Sequence, residues 1–173
     1  MKLSRKCSIA GLVLLLSVLF LTVANAKVKE GQNFPEFSLS SLDDQTKKLA
    51  LSSFKGKVVV LDFWASWCEP CKVELPILNK LYKKYHGNGL EILGVNEDKE
   101  LSEAKSFLKS YPMQMPLLED GIKGVVLTKL EVDGLPVTYV LDKSGKVHKI
   151  HKGFKPGDLV KFEEEIVALL KSK

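Results

Sequence analysis

Two cysteines separated by two residues stand at the junction between two different sequence patterns. Before Cys68 lies a near-continuous apolar, β-rich run from 58 to 65, which predicts a strand buried on both faces. After Cys71 the apolar residues follow helical spacing as far as Tyr85. A helix start favours the thiolate form of a cysteine, because its free N–H groups and its dipole end are positive. Since the thiolate is the form that attacks disulfides, the motif predicts thiol–disulfide exchange.

The number of cysteines narrows the chemistry further. The chain has three, and Cys7 lies in a candidate targeting segment, so that Cys68 and Cys71 are the pair left in the remainder. One pair is too few for a disulfide framework or for a zinc site with four cysteines. Lys72 stands where covalent haem attachment needs His. We therefore predict no cofactor and no metal; a structural disulfide and a Cu(I)-handling site are the alternatives.

The first 26 residues have the three parts of a secretory signal. Basic residues at 2, 5 and 6 precede an apolar run from 9 to 23, and 24–26 read Ala-Asn-Ala, a small-x-small cleavage site. The apolar run is shorter than the roughly 18 residues expected of a membrane-spanning helix. We expect a cleaved signal and an extracytoplasmic protein, periplasmic or secreted, with an uncleaved membrane anchor as the alternative.

Residues 27–173 are predicted to form one domain with its own hydrophobic core. The formal net charge of +5 is largely a property of the signal, which has basic residues and no acidic one. Because no basic stripe with interleaved aromatic residues is present, nucleic acid is not an expected partner. The absence of heptads and the modest charge favour a monomer.

The order of the predicted elements describes a mixed α/β sheet with helices on both faces. A turn at 43–45 predicts an N-terminal β-hairpin, and a second turn at 142–145 predicts another hairpin near the end of the chain. Between and after them the patterns predict strands at 58–65 and 90–96, a short strand near 117, and helices at 71–85, 101–111 and 158–171.

Two motifs resemble the thioredoxin superfamily. Residues 60–72, VLDFWASWCEPCK, resemble its strand-to-active-site signature, and residues 134–138, GLPVT, resemble its cis-proline segment. The export signal, the N-terminal hairpin, the Glu-Pro dipeptide and Glu74 resemble the TlpA/ResA-like extracytoplasmic oxidoreductases. The resemblance covers 27–173. It implies a thioredoxin-like fold with a hairpin extension and a reductase of exported proteins such as apocytochrome c, re-reduced by a membrane-embedded electron donor.

The two cysteines are expected to have different roles. Cys68 is the better nucleophile because it stands at the exposed helix start, whereas Cys71 lies one turn further in and should be more buried. Cys71 would then attack Cys68 and release the reduced substrate. Pro70 suits the first helical turn, where a missing N–H costs little. Glu69 opposes the thiolate of Cys68 and so favours a reductase; a solvated glutamate without a role is the alternative.

Two carboxyl groups are candidate proton acceptors for Cys71. Asp62 lies inside the most apolar segment, where burial should raise its pKa. It matches the aspartate that the resemblance to thioredoxins implicates in this role. Glu74 follows Cys71 by three residues on the same helical face and matches the glutamate of the TlpA/ResA-like group. Which of the two is the main acceptor stays open.

The substrate is expected to contact the surroundings of the cysteines. Pro136 follows Asp133-Gly134-Leu135 and precedes a β-rich run, a context that suits a cis peptide bond. By resemblance, its loop pairs with an extended substrate segment through backbone hydrogen bonds. Trp67 is predicted to be exposed and Trp64 to pack internally. The expected contact surface comprises Trp67, Glu69, Pro70, Leu135 and Pro136.

Several alternatives remain at this level. A disulfide oxidase or isomerase would use the same cysteine pair; Glu69 and the single redox-active domain weigh against it. Peroxide reduction is disfavoured because Ala65 replaces the Thr or Ser usual three residues before such a nucleophile. His148 and His151 are separated by three residues, a strand spacing that predicts opposite faces and argues against a shared metal.

Overall fold

The computed structural model describes residues 27–121 and 124–172, so the predicted signal segment lies outside the described residues. Seven strands form one mixed sheet in the order β2-β1-β5-β4-β3-β6-β7. The strands are β1 Ser38–Ser41, β2 Lys48–Ala50, β3 Val58–Trp64, β4 Leu90–Asn96, β5 Leu117–Glu119, β6 Val137–Leu141 and β7 Val147–Lys152. The α-helices are α1 Glu69–Tyr85, α2 Leu101–Ser110, α3 Val125–Leu130 and α4 Leu159–Lys171.

The centre of the sheet is β3, which pairs in parallel with β4 and antiparallel with β6. All seven residues of β3 and of β4 are buried, as their continuous apolar patterns predict. The predicted N-terminal hairpin is confirmed: β1 pairs antiparallel with β2 and joins the sheet along β5. Leu51, expected at the end of this hairpin, instead begins a short 3₁₀ helix.

Side chains alternate along β3 between two cores, one on each face of the sheet. Val58, Val60 and Trp64 belong to a core with buried side chains of α1, α2 and α4. Val59, Leu61 and Phe63 belong to the other core, together with α3 and the N-terminal segment. By this alternation Asp62 lies on the face that α1 covers, the same helix that carries the cysteines.

No helix in the two described stretches is long and apolar enough to cross a membrane. The helix after the cysteines begins at Glu69 and continues past Pro76 as one element. It therefore starts two residues earlier than the predicted boundary at 71.

Candidate active site

Cys68 and Cys71 form a disulfide at the start of α1, with an S–S distance of 1.98 Å and a Cα–Cα distance of 5.3 Å. Cys68 is the N-cap of the helix, and its Sγ accepts a hydrogen bond from the N–H of Cys71 at 3.3 Å. The sulfur thus occupies the position in which a cap oxygen would normally satisfy a free helix N–H. When the disulfide is reduced, the same N–H groups and the helix dipole favour a thiolate on Cys68.

The accessibility of the two cysteines differs from the expectation. Cys71 is completely buried, as predicted, but Cys68 is only 4% exposed. Its Sγ folds back over the first helical turn to reach the N–H of Cys71, so the predicted exposed helix start is largely covered in the oxidised state. The neighbouring Trp67 is 64% exposed, as expected for a surface that receives a partner.

Glu69 points into solvent and forms an ion pair with Lys72 at 2.6 Å, within the first turn of α1. Its side chain is 80% exposed, so that water and Lys72 both weaken its effect on Cys68. Pro70 lies in the same turn, where its missing N–H leaves no helical hydrogen bond unmade.

The loop that leads to Cys68 is held by a buried carboxylate. Asp98, 2% exposed, accepts hydrogen bonds from the backbone N–H of Ser66 at 3.0 and 3.1 Å and from the Ser66 hydroxyl at 3.0 Å. The side-chain amide of Asn96 donates to the same carboxylate at 2.8 Å. Because Ser66 stands two residues before Cys68, Asp98 sets the path of the chain into the redox motif.

Asp62 and Glu74 meet at one hydroxyl group. Thr138 Oγ1 lies 3.1 Å from Asp62 Oδ1 and 2.9 Å from Glu74 Oε1. Asp62 comes from β3, Thr138 is its direct neighbour on β6, and Glu74 stands on α1 one turn after Cys71. The structure thus brings the two predicted proton acceptors together, at exposed fractions of 0% and 3%.

Burial governs the protonation of this pair. Desolvation raises the pKa of Asp62 to about 7, against a smaller lowering by the Thr138 hydroxyl. Desolvation, and then the negative charge of Asp62, raises the pKa of Glu74 to about 9. The expectation of a raised pKa for the buried aspartate is therefore confirmed, and Glu74 has the same property.

Pro136 lies at the same edge of the sheet as the cysteines. The Leu135–Pro136 peptide bond is cis, as the sequence predicts. Phe63 near the end of β3 pairs with Val137 at the start of β6, so the loop before β6 and the loop after β3 leave the sheet side by side. Leu135 is half-buried and Pro136 is buried.

The prediction for the two histidines of the last hairpin is wrong. A β-bulge between Val140 and Leu141 leaves His148 as an extra residue on β7 and reverses the expected alternation. His148 Nε2 and His151 Nε2 consequently approach the same carboxylate, that of Glu165, at 3.9 and 3.0 Å. Within the described residues, no group of three or more His, Cys, Asp or Glu has an arrangement that could hold a metal ion.

Sequence reasoning missed two polar residues at this site. Thr138 is one of the buried residues of β6 and carries a hydroxyl toward Asp62, a role visible only once the strands are in register. Asp98 follows a buried strand by two residues, a position at which a sheet edge often carries function. That position was the available signal for Asp98, whereas Thr138 had none beyond its nearness to Pro136.

Comparison with known proteins shows the family of this chain. The sequence matches the AhpC/TSA family model over residues 30–150. The chain belongs to this family. Thiol-disulfide oxidoreductase ResA of Bacillus thuringiensis subsp. konkukian is 38% identical over 127 residues, which cover 73% of this chain and 72% of that protein. ResA of Bacillus subtilis is 36% identical over 148 residues, which cover 82% and 81%.

A solved structure extends the similarity to the fold. The crystal structure of a candidate thiol:disulfide interchange protein DsbE from Chlorobium tepidum superposes with a TM-score of 0.77 at 36% identity. The match covers 83% of this chain and 99% of that one. The expected thioredoxin-like fold is confirmed, and the protein is a thiol–disulfide oxidoreductase, as the CxxC motif predicts.

Proposed function

We propose that the protein is an extracytoplasmic reductase that delivers electrons to disulfides of exported proteins, such as apocytochrome c. The observation that carries the proposal is the redox disulfide at the N-cap of α1, beside the loop of Pro136 and the exposed Trp67. An extended substrate segment can pair with the backbone of the loop that contains Leu135, while Trp67 offers an apolar contact. The two ResA relatives described above are named thiol-disulfide oxidoreductases.

The reaction begins with the Cys68 thiolate, which attacks one sulfur of the substrate disulfide. The substrate S–S bond breaks, and its second sulfur leaves with the electron pair and takes up a proton. Cys71 then loses its proton to the Asp62–Glu74 pair and attacks Cys68 Sγ, which breaks the mixed disulfide. Two electrons pass to the substrate, and the protein ends as the Cys68–Cys71 disulfide. A membrane-embedded donor protein would return it to the dithiol.

The direction of exchange depends on the reduction potential. We expect the purified protein, equilibrated with graded thiol–disulfide buffers, to show a Cys68–Cys71 potential below roughly −220 mV, near the thioredoxin end of the scale. A potential above roughly −150 mV would instead identify a disulfide donor or isomerase. A protein that is purified with stoichiometric copper and unreactive thiols would be a metal carrier.

Partners can be captured as mixed disulfides. A Cys71→Ala variant lacks the resolving thiol, so substrates should remain attached to Cys68 and be identifiable by mass spectrometry. The matched Cys68→Ala variant keeps a single, buried thiol and should trap none of them. Equal trapping by both variants would contradict the assignment of Cys68 as the nucleophile.

The site of action rests on the predicted signal. N-terminal sequencing of the protein recovered from a cell fractionation should begin at Lys27 and place it outside the cytoplasm. An intact N-terminus in the membrane fraction would support the anchored alternative, and an intact protein in the cytoplasm would contradict export. Sedimentation of the exported form should give a monomer.

A further inference from the structure

The hydroxyl of Thr138 is shared between two carboxyl groups but has one hydrogen. Its Oγ1 lies within hydrogen-bond distance of both Asp62 Oδ1 and Glu74 Oε1, at 3.1 and 2.9 Å. It can donate to one of them only. Toward the other it presents a lone pair, so that contact is favourable only if the second carboxyl group carries a hydrogen and donates it. The geometry therefore requires a proton on at least one of the two acids.

The remaining oxygens offer no other way to hold two negative charges. Asp62 Oδ2 and Glu74 Oε2 are buried and have no hydrogen-bond partner among the described residues. The ion pairs found in that part of the chain include neither acid. Two unpaired buried carboxylates at this spacing would carry a large desolvation penalty and would also repel each other.

We infer that Thr138 is a positioning residue that makes Asp62 and Glu74 hold one proton between them. In this arrangement the neutral carboxyl group donates to Thr138 Oγ1, and Thr138 donates to the ionised one. The inference rests on the proposed function, in which this pair accepts the proton of Cys71. It gives each acid a part in the proposed step: one serves as the base, and the other keeps the unit at a single negative charge before Cys71 transfers its proton.

Asp62 and Glu74 can exchange the roles of neutral and ionised acid without a gain or loss of protons by the pair. If the hydroxyl passes its hydrogen to the ionised acid while it receives the hydrogen of the neutral one, donor and acceptor swap and the net charge stays the same. Gly94, the neighbour of Asp62 on β4, brings no charge. His151, the neighbour of Thr138 on β7, has its Nε2 at 3.0 Å from Glu165 on α4. On α1, Cys71 precedes Glu74 by three residues and is held in the disulfide, so it does not titrate in the oxidised protein.

Carboxyl ¹³C NMR titration of the oxidised full chain tests the inference directly. In the wild type we expect two separate steps for Asp62 and Glu74, with one proton retained at neutral pH. Thr138→Val removes the hydroxyl at similar volume, and should narrow the separation between the steps by about one pH unit, the typical value of a hydrogen bond to a charged group. Thr138→Ser keeps the hydroxyl and should restore the wild-type separation, which a merely structural role would not predict.

Each result has a definite meaning. Wild-type separation in the Val variant would overturn the inference, as would an equal loss in the Ser and Val variants. If Thr138→Val does not fold, the wild type still decides: both acids ionised at neutral pH would refute a shared proton. Asp62→Asn gives a second measurement, since the loss of its charge should lower the titration step of Glu74. These measurements need no substrate, so they stay valid if the reduction potential contradicts the proposed reductase.

Discussion

Two buried acidic sites lie near the redox motif: Asp98, and the pair of Asp62 and Glu74. They differ in the number of hydrogen-bond donors that reach the carboxyl groups. Asp98 receives hydrogen bonds from the backbone and hydroxyl of Ser66 and from the amide of Asn96. Asp62 and Glu74 share one hydroxyl and leave an oxygen each without a partner in the described structure. Both sites are buried to a similar degree, so burial alone does not distinguish them.

The difference separates a structural carboxylate from one suited to proton transfer. Donors around Asp98 compensate its negative charge, and the charge in return fixes the loop before Cys68. The Asp62–Glu74 pair lacks such compensation, and its raised pKa values place proton exchange in the range where a thiol also titrates. A group whose proton must come and go during each catalytic cycle is better served by the second environment.

The largest expected effect is on stability, through Asp98→Ala. The substitution leaves the half-buried N–H of Ser66 and the buried amide of Asn96 without their acceptor, because both donate to this carboxylate. We expect the free energy of unfolding to fall by about 3 kcal/mol, as for the loss of a buried charged hydrogen-bond network. Urea denaturation of the oxidised protein measures it.

Ser66→Ala is the matched control for this prediction. It removes the hydroxyl contact with Asp98 but keeps the backbone hydrogen bonds, and should cost about 1 kcal/mol. Equal losses in the two variants would show that the carboxylate does not act through the backbone of the loop. A loss below about 0.5 kcal/mol for Asp98→Ala would contradict the structural role itself.

The next effect is a change in the pH dependence of stability, through Glu74→Gln. Burial raises the pKa of Glu74 to about 9, so the folded protein keeps a proton that the unfolded chain has already lost above the ordinary carboxyl range. Glu74 should therefore contribute a loss of about 1.4 kcal/mol per pH unit between roughly pH 5 and 8 as the pH rises, in addition to the losses from Asp62 and Glu97, whose pKa values are also raised by burial. Glu74→Gln has no carboxyl group that could retain this proton, so its free energy of unfolding should depend less on pH.

Urea midpoints at several pH values measure this slope. Glu103→Gln on α2 is a suitable control, because this glutamate is exposed and the wild-type slope should persist. An unchanged slope in Glu74→Gln would mean that Glu74 is not the group that retains the proton, and the contrast with Asp98 would then rest on Asp62 alone.

The smallest expected effect is a shift of the reduction potential through Glu69, whose carboxylate is exposed, unlike those of Asp98, Asp62 and Glu74. Glu69 opposes the Cys68 thiolate, so Glu69→Gln should stabilise the dithiol form and raise the reduction potential by about 10 mV, since its side chain is solvated and paired with Lys72. Lys72→Gln should shift the potential in the opposite direction. Shifts of the same sign in both variants would exclude a simple charge effect.

Most of the fold could be predicted from sequence patterns. The run from 90 to 96 is a strand with the predicted bounds, and the predicted short strand near 117 is Leu117–Glu119. The hairpin that contains His148 shows where pattern reading fails. One extra residue in β7 reverses the side-chain alternation, and a bulge depends on how two strands pair rather than on the composition of either.

For the candidate site too, some features could be predicted from the sequence and others could not. Cys68, Cys71 and Pro136 could be named as candidate site residues because they lie in short motifs. Asp62 was predicted to be a buried acid from its apolar segment, and Glu74 was a candidate base from its helical spacing and its match to the TlpA/ResA-like group. Their shared contact with Thr138 was not predicted, although it changes what the two acids can do.

The amino-acid sequence by itself determined that a redox-active cysteine pair caps a helix after a buried strand, because these properties depend on neighbours within a few residues. Only the tertiary structure decided the partners of the buried acids. Thr138 lies 76 positions from Asp62 and 64 from Glu74 along the chain. Thr138 meets both acids because β6 pairs in register with β3 and because α1 packs on the sheet. A sequence pattern that spans a few residues cannot predict contacts across such separations along the chain.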